Sequence, residues 1–225
     1  MRDEVIGRNP ARDRANRRMT GRGTGGVSVV VPSARQVDLI ARLCGAQAQS
    51  YADHVMLIAY LAARTSEVAG LVVGDVDWES TVVTIGRQCF PGVGGLIVKP
   101  TKGRRARRVP ILGPIEPTLR RLTADRPPGA PLLRGPRGGV ITTASLRRAT
   151  QWDSMVARLG LPGLRRHDLR HAGATWLADS GAPLHVVSEI LGHGSIETTR
   201  AYLHVDETAL RRAAEQINTY LGSPS

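Results

Sequence analysis

The segment from residue 167 to residue 202 concentrates side chains that bind phosphate or move protons. His167, Arg170 and His171 lie within one and a half helical turns, His193 follows a Leu-Gly pair, and Tyr202 stands nine residues beyond His193. At 100° per residue a helix over His167 to Ser180 places Leu169, Ala172, Gly173 and Trp176 on one side and His167, Arg170 and His171 on the other. The apolar side is expected to dock, leaving the basic side to face something. Gly181 ends that helix and Pro183 suits the first turn of the next, whose stripe of Leu184, Val187, Ile190 and Leu191 runs to Gly192. His193 then sits just past a helix end, and Ser195 can cap a short helix carrying Tyr202.

Two other elements carry chemistry of the same sign. Arg64 closes a strongly apolar helix, with Glu67 three residues on at salt-bridge spacing. Either the two pair structurally, or Glu67 holds an arginine aimed at an anion. Lys102 lies in PTKGRRARR, a glycine-containing basic turn with five basic residues from Lys102 to Arg108, suited to a phosphate backbone. If Arg64, Lys102 and the His167/Arg170 pair converge, two planar guanidinium forks can grip the oxygens of one phosphate. Phosphoryl transfer is the reaction such a site suggests.

Composition narrows the partner. The formal charge is +12 and the pI about 11.1, which favours a polyanion, nucleic acid ahead of an anionic membrane. Apolar runs such as residues 55 to 63 fall far short of the ~20 residues that span a bilayer, and no signal-peptide pattern opens the chain, so a cytosolic protein is expected. Of 31 basic residues only Lys99 and Lys102 are lysines; lysine, unlike arginine, can release its proton when its surroundings demand it. Cys44 and Cys89 match no metal or disulfide spacing and read as buried thiols.

The elements that must position these groups read mainly as helices. Residues 1–26, with seven arginines and five glycines, form a basic linker, and residues 27–225 one domain. Ser33 caps a first helix with the stripe Val37, Ile40, Ala41 and Cys44. A second runs from about Tyr51 to Gly70. LVVGDV, STVVTIGR, GLIVKP and RRVPIL read as strands, with the Lys102 turn as a hairpin tip between the last two. A helix follows over Pro114 to Thr123. Another, capped by Thr142 or Thr143, runs to Leu159 with Arg147 and Arg148 outward. A last helix spans Asp206 to about Leu221.

The segments AARTSEVAGL, TKGRRARRVPI, LRRHDLRHAGATWL and LGHGSIETTRAYLH resemble, in order and spacing, the catalytic boxes of the tyrosine recombinases, the phage-integrase type of site-specific DNA recombinase. The likeness covers about Pro32 to Leu221. It implies an α+β, mainly helical catalytic domain with a small antiparallel β-sheet at one edge. By this resemblance Arg64 and Arg170 hold the scissile phosphate, Lys102 protonates the departing 5′ oxygen, and His167 and His193 serve proton transfer and phosphate hydrogen bonding. Tyr202 is the nucleophile that forms a 3′-phosphotyrosine, and Glu67 holds the first arginine or helps the base. No metal or other cofactor is required. The physics agrees: tyrosine, with a reference pKa near ~10, needs a base or a positive field to attack phosphorus at neutral pH. Lys102 can protonate an oxygen where arginine is too weak an acid, and Lys99, in the preceding strand, is the lesser candidate. Arg104, Arg105, Arg107, Arg147, Arg148, Arg165 and Arg166 are the expected DNA-contacting residues.

The resemblance further implies double-stranded attachment-site DNA as partner, a tetramer on that DNA, DNA-bending accessory proteins, and a cytoplasmic, nucleoid-associated protein of prokaryotic or phage origin. Such proteins usually carry an N-terminal helical clamp, so this chain is expected to be the catalytic portion, excised or truncated, and the stripe from Leu210 to Tyr220 packs either in cis or on a neighbouring protomer. Three other classes compete: a type IB topoisomerase, a non-catalytic DNA-binding module, and a zinc hydrolase built on the HxxxH pair in HDLRH. The last is disfavoured by Asp168 in place of the expected glutamate and by the surrounding arginines. His171, His204, His54 and His185 read as structural or supporting, and Tyr51, Tyr60 and Tyr220 lack a comparable constellation.

Overall fold

The computed structural model describes residues 30–101 and 106–192. The linker, Lys102 to Arg105, and everything from His193 onward, including the expected last helix, lie outside the described residues.

Helix α1, Ala34–Gly45, begins at Ser33, whose hydroxyl accepts from the Gln36 N–H while the Gln36 side chain accepts from the Ser33 N–H. This reciprocal cap satisfies two otherwise unpaired donors. Its stripe of Val37, Ile40, Ala41 and Cys44 is buried against α2, Gln49–Tyr60. The expected long second helix is broken. Ala62 adopts left-handed backbone at φ 44, Arg64 is extended, and a separate short helix α3, Thr65–Gly70, follows. Left-handed alanine is costly, and burial of its methyl with Ala174, Val187 and Leu191 holds it there.

Five short strands follow: β1 Val76–Asp77, β2 Val82–Ile85, β3 Arg87–Gly92, β4 Gly95–Pro100 and β5 Arg107–Pro110. They form two antiparallel sheets, one ordered β1-β2-β5 and the other the ribbon β3-β4. The expected pairing of GLIVKP with RRVPIL is therefore corrected. Val98 of β4 pairs with Cys89, whereas Val109 of β5 pairs with Val83. The strands on either side of the Lys102 segment, β4 and β5, thus belong to different sheets. RQCFPG, which alternation alone did not single out, supplies the missing strand. Its ribbon leaves Val93, Leu96, Ile97 and Val98 exposed.

Helix α4, Glu116–Thr123, leads to α5, Thr143–Ala149, capped by the Thr142 hydroxyl accepting from the Ser145 N–H at 3.0 Å. The single helix expected to Leu159 is two: Gln151 turns left-handed at φ 47, and α6, Trp152–Arg158, sets off anew. The reversal buries Trp152, whose indole N–H donates to the Leu164 carbonyl at 2.7 Å. Helices α7, Asp168–Asp179, and α8, Leu184–Leu191, complete the described residues. Glycine at 173 lets α7 lie directly on α2, since a Cβ there would stand 2.0 Å from the Ala59 carbonyl oxygen. This close approach brings Arg170 to the turn before α3. Both cysteines are buried free thiols, as expected. Among the described residues no helix is long and apolar enough to cross a membrane.

Candidate active site

The α2–α3 break gives Arg64 and Glu67 their geometry. Arg64 is extended, so its N–H is free of helix bonding and donates to Glu67 Oε2 at 2.8 Å, while its Nη1 donates to Oε1 at 2.7 Å. Glu67 is 1 % exposed, and two more arginines reach it. Arg107 of β5 forks onto both oxygens, Nη1 to Oε1 at 3.1 Å and Nη2 to Oε2 at 2.7 Å. Arg170 of α7 places Nη1 3.5 Å from Oε2. Burial by itself raises a carboxyl pKa, but the Arg107 bonds and charge, the Arg64 N–H and the Arg170 charge outweigh it and hold Glu67 down to about 2. Glu67 is thus an anion at physiological pH, binding three elements distant in sequence.

Arg170 corrects an expectation. The helical wheel assigned it to a face looking outward, yet it is 3 % exposed. Its Nη1 donates to the Ala62 carbonyl at 2.6 Å and its Nη2 to the Leu191 carbonyl at 2.7 Å. The wheel failed because α7 is covered on this side as well, by α8 and the α2–α3 turn. Arg107 is a second correction. Expected at a DNA-facing tip, it is buried, with Nε donating to the Ile190 carbonyl at 2.7 Å. A signal was available: strand alternation puts Arg107 on the same face as Val109, and the burial pattern of β5 follows that alternation.

Arg64 is half-exposed at 36 % and reaches a cleft of about 590 Å³, lined among others by Ser66, Phe90, Thr142, Arg165, Arg166 and His167. Arg64 and His167, expected to converge, do so here. His167 immediately precedes α7, its ring 4.8 Å from that of His171 and perpendicular to it. Desolvation first, then the neighbouring His171 and Arg170, pull His167 down to about 4; desolvation also lowers His171. A neutral imidazole at pH 7 can accept a proton or a hydrogen bond. Among the described residues no group of three or more His, Cys, Asp or Glu is placed to hold a metal ion.

The remaining expected residues sit around this cleft or outside the described residues. Lys102, Arg104, Arg105, His193 and Tyr202 belong to the latter. Lys99 lies on β4 with its ammonium 4.9 Å from the Phe90 ring centroid. Arg165 forks onto Asp168 and keeps 58 % of its side chain exposed. Arg147 and Arg166 both reach Asp153, at 2.5 and 3.5 Å, and Arg148 is exposed on α5. These four form a basic rim beside the cleft.

Comparison with known proteins accords with this architecture. The family model described as Phage integrase family matches residues 33–209. Tyrosine recombinase XerC of Mycobacterium sp. (strain KMS) is 34 % identical over 160 residues, covering 68 % of this chain and 48 % of the relative. XerC of Mycobacterium tuberculosis (strain ATCC 25177 / H37Ra) is equally identical over the same length, 49 % of it being covered. The chain therefore spans about half the length of these relatives. Among solved structures, the Tn1549 transposon integrase in complex with a circular intermediate DNA aligns with TM-score 0.65 at 21 % identity, over 83 % of this chain and 65 % of that one. The catalytic domain of bacteriophage HP1 integrase aligns with TM-score 0.57 at 22 % identity, over 87 % and 99 %. The fold is the α+β catalytic domain of the tyrosine recombinases, and with the family model matching residues 33–209, the chain belongs to the phage integrase family.

Proposed function

We propose that this chain is the catalytic part of a site-specific DNA recombinase, with residues 27–225 as catalytic domain and residues 1–26 as a basic linker. The observation that carries this reading is the Glu67 centre: one buried carboxylate carrying Arg64, Arg107 and Arg170, with Arg64 continuing into a cleft beside a neutral His167. An excess of fixed positive charge held behind Arg64, which opens into the cleft with Arg165 and Arg166, suits a phosphodiester. Preorganised donors of this kind stabilise a transition state because they need no reorientation as charge develops.

In the reaction, the Tyr202 phenolate oxygen attacks the scissile phosphorus and the 5′ oxygen leaves, taking a proton from Lys102. The tyrosine proton passes to a neutral histidine, His167 or His193. Arg64 contacts the non-bridging oxygens, and Arg170 supplies positive field from beneath. The product is a 3′-phosphotyrosine; a second 5′ hydroxyl then attacks it, restoring the diester and freeing Tyr202. The substrate is double-stranded attachment-site DNA in the bacterial nucleoid. Arg104, Arg105, Arg147, Arg148, Arg165 and Arg166 contact its backbone, and four protomers assemble on it with DNA-bending accessory proteins.

The test uses nicked suicide duplexes with a randomised core, in which cleavage releases a short strand and traps the covalent product. The expected result is a protein–DNA adduct, selected for particular cores, that disappears in Tyr202→Phe while DNA binding is retained. An adduct that survives Tyr202→Phe overturns the assignment.

A further inference from the structure

Arg107, expected to contact DNA rather than to hold the scissile phosphate, is instead tightly constrained inside the protein. It is 4 % exposed, and each of its three kinds of nitrogen has an acceptor: Nε the Ile190 carbonyl, Nη1 and Nη2 the two oxygens of Glu67. Arg170 repeats the arrangement one residue along, with Nη2 on the Leu191 carbonyl and Nη1 beside Glu67. Carbonyls in the last turn of a helix lack intrahelical partners and form the negative end of its dipole. At the end of α8 two consecutive ones are taken by two arginines that share a carboxylate. Gly192 follows with φ +62, where a Cβ would stand 3.0 Å from Arg107 Cδ. Glycine there both turns the chain and admits the arginine.

We propose that Arg107 is a positioning residue for strand transfer: by joining Glu67 to the carbonyl end of α8, it sets Arg64 and Arg170 against the point from which the chain runs on to His193 and Tyr202. It also stands five residues after Lys102, so one side chain ties the segment bearing the general acid to the helix leading to the nucleophile. Arg64 and Glu67 come from the α2–α3 junction, Arg107 from β5 and Ile190 from α8; the Arg107 guanidinium bonds both carboxylate oxygens and the α8 end, whereas Arg170 reaches one carboxylate oxygen, at 3.5 Å. Lysine keeps the charge but cannot serve three acceptors spread along a planar fork.

The inference rests on the recombinase reading, and two measurements separate the fates of the two. The first is single-turnover cleavage of the nicked duplex at saturating DNA for wild type, R107K, E67Q and E67Q/R107K. R107K is expected to slow cleavage roughly 10- to 100-fold, the scale of a misplaced reacting group, with DNA affinity within about twofold. Because both residues act as one unit, the double variant is expected to be no slower than the worse single variant. The second is amide hydrogen exchange, which needs no activity. In R107K the α8 amides are expected to exchange faster while those of α1 and α2 keep their protection, showing an intact fold. Wild-type protein that forms no adduct sinks the recombinase reading, and exchange then decides whether Arg107 holds α8. An adduct formed at equal rates by wild type and R107K, multiplying losses in the double variant, or unchanged α8 exchange each overturns the role given to Arg107.

Discussion

Glu67 and Asp153 each gather arginines, Glu67 in the interior at 1 % side-chain exposure and Asp153 at the surface at 55 %. Around Glu67 the guanidiniums of Arg107 and Arg170 are buried, and backbone carbonyls take up their remaining donors. Around Asp153, Arg147 remains 60 % exposed, while Arg166 lies partly over the Trp152 ring. The same charges do different work because the Glu67 carboxylate with Arg107 and Arg170 is shielded from solvent, whereas Asp153 is open to it. In the interior a guanidinium without a partner would be prohibitively costly, so its geometry is over-determined and its field fixed. At the surface, salt and solvent reduce each pair to about 0–1 kcal/mol. Arg147, the exposed partner, is therefore free to exchange Asp153 for a phosphate.

The contrast is most severely tested inside. Glu67→Ala leaves Arg107 and Arg170 without their carboxylate and is expected to cost roughly 3–5 kcal/mol, read by urea unfolding; a loss below about 1 kcal/mol would mean that the cluster is no more than a surface pair in effect. Arg64→Ala, which removes the half-exposed member, is expected to lower cleavage roughly 10²- to 10³-fold with little change in the unfolding midpoint. Gly173→Ala drives a methyl into the Ala59 carbonyl and is expected to cost about 1–3 kcal/mol by separating α7 from α2.

Acid sharpens the same comparison. Glu67 titrates near 2 in the folded protein against 4.5 in the unfolded chain. Its contribution is complete above 4.5 and is lost as pH falls from there through 2, because the unfolded state takes up the proton first. His54, buried and pulled down to about 4 by desolvation, acts earlier. The unfolded chain protonates it near 6.5, so stability declines between 6.5 and 4 and is untouched above. His54→Leu is expected to make the upper window shallower, His167 acting in it as well, and Glu67→Gln to flatten the lower one, in unfolding free energies measured from pH 7 to 2.

The smallest effect belongs to the surface. Asp153→Asn is expected to change stability by less than about 1 kcal/mol while strengthening DNA binding at low salt. Arg147→Ala is expected to weaken binding to all sequences alike and to reduce the slope of log affinity against log salt by about 1. A sequence-dependent loss would make Arg147 a base reader rather than a backbone contact.

Spacing alone was enough to find Arg64 with Glu67 and the arginine and histidines of HDLRH, because these signals are local: three residues along a helix start, or three and four along a turn. It was likewise enough for the α1 cap at Ser33, the α8 stop at Gly192 and the predominance of helices. What it could not give were the breaks at Ala62 and Gln151. Neither carries a glycine or proline to announce it, and both left-handed turns are held by tertiary burial of Ala62 and Trp152. Alternation puts Arg107 and Arg108 on opposite faces of β5, but only the packing of β5 under the end of α8 makes Arg107 the partner of Glu67. Periodicity states which face of an element a side chain occupies; whether that face meets solvent or a second layer depends on contacts between residues 40 to 108 positions apart.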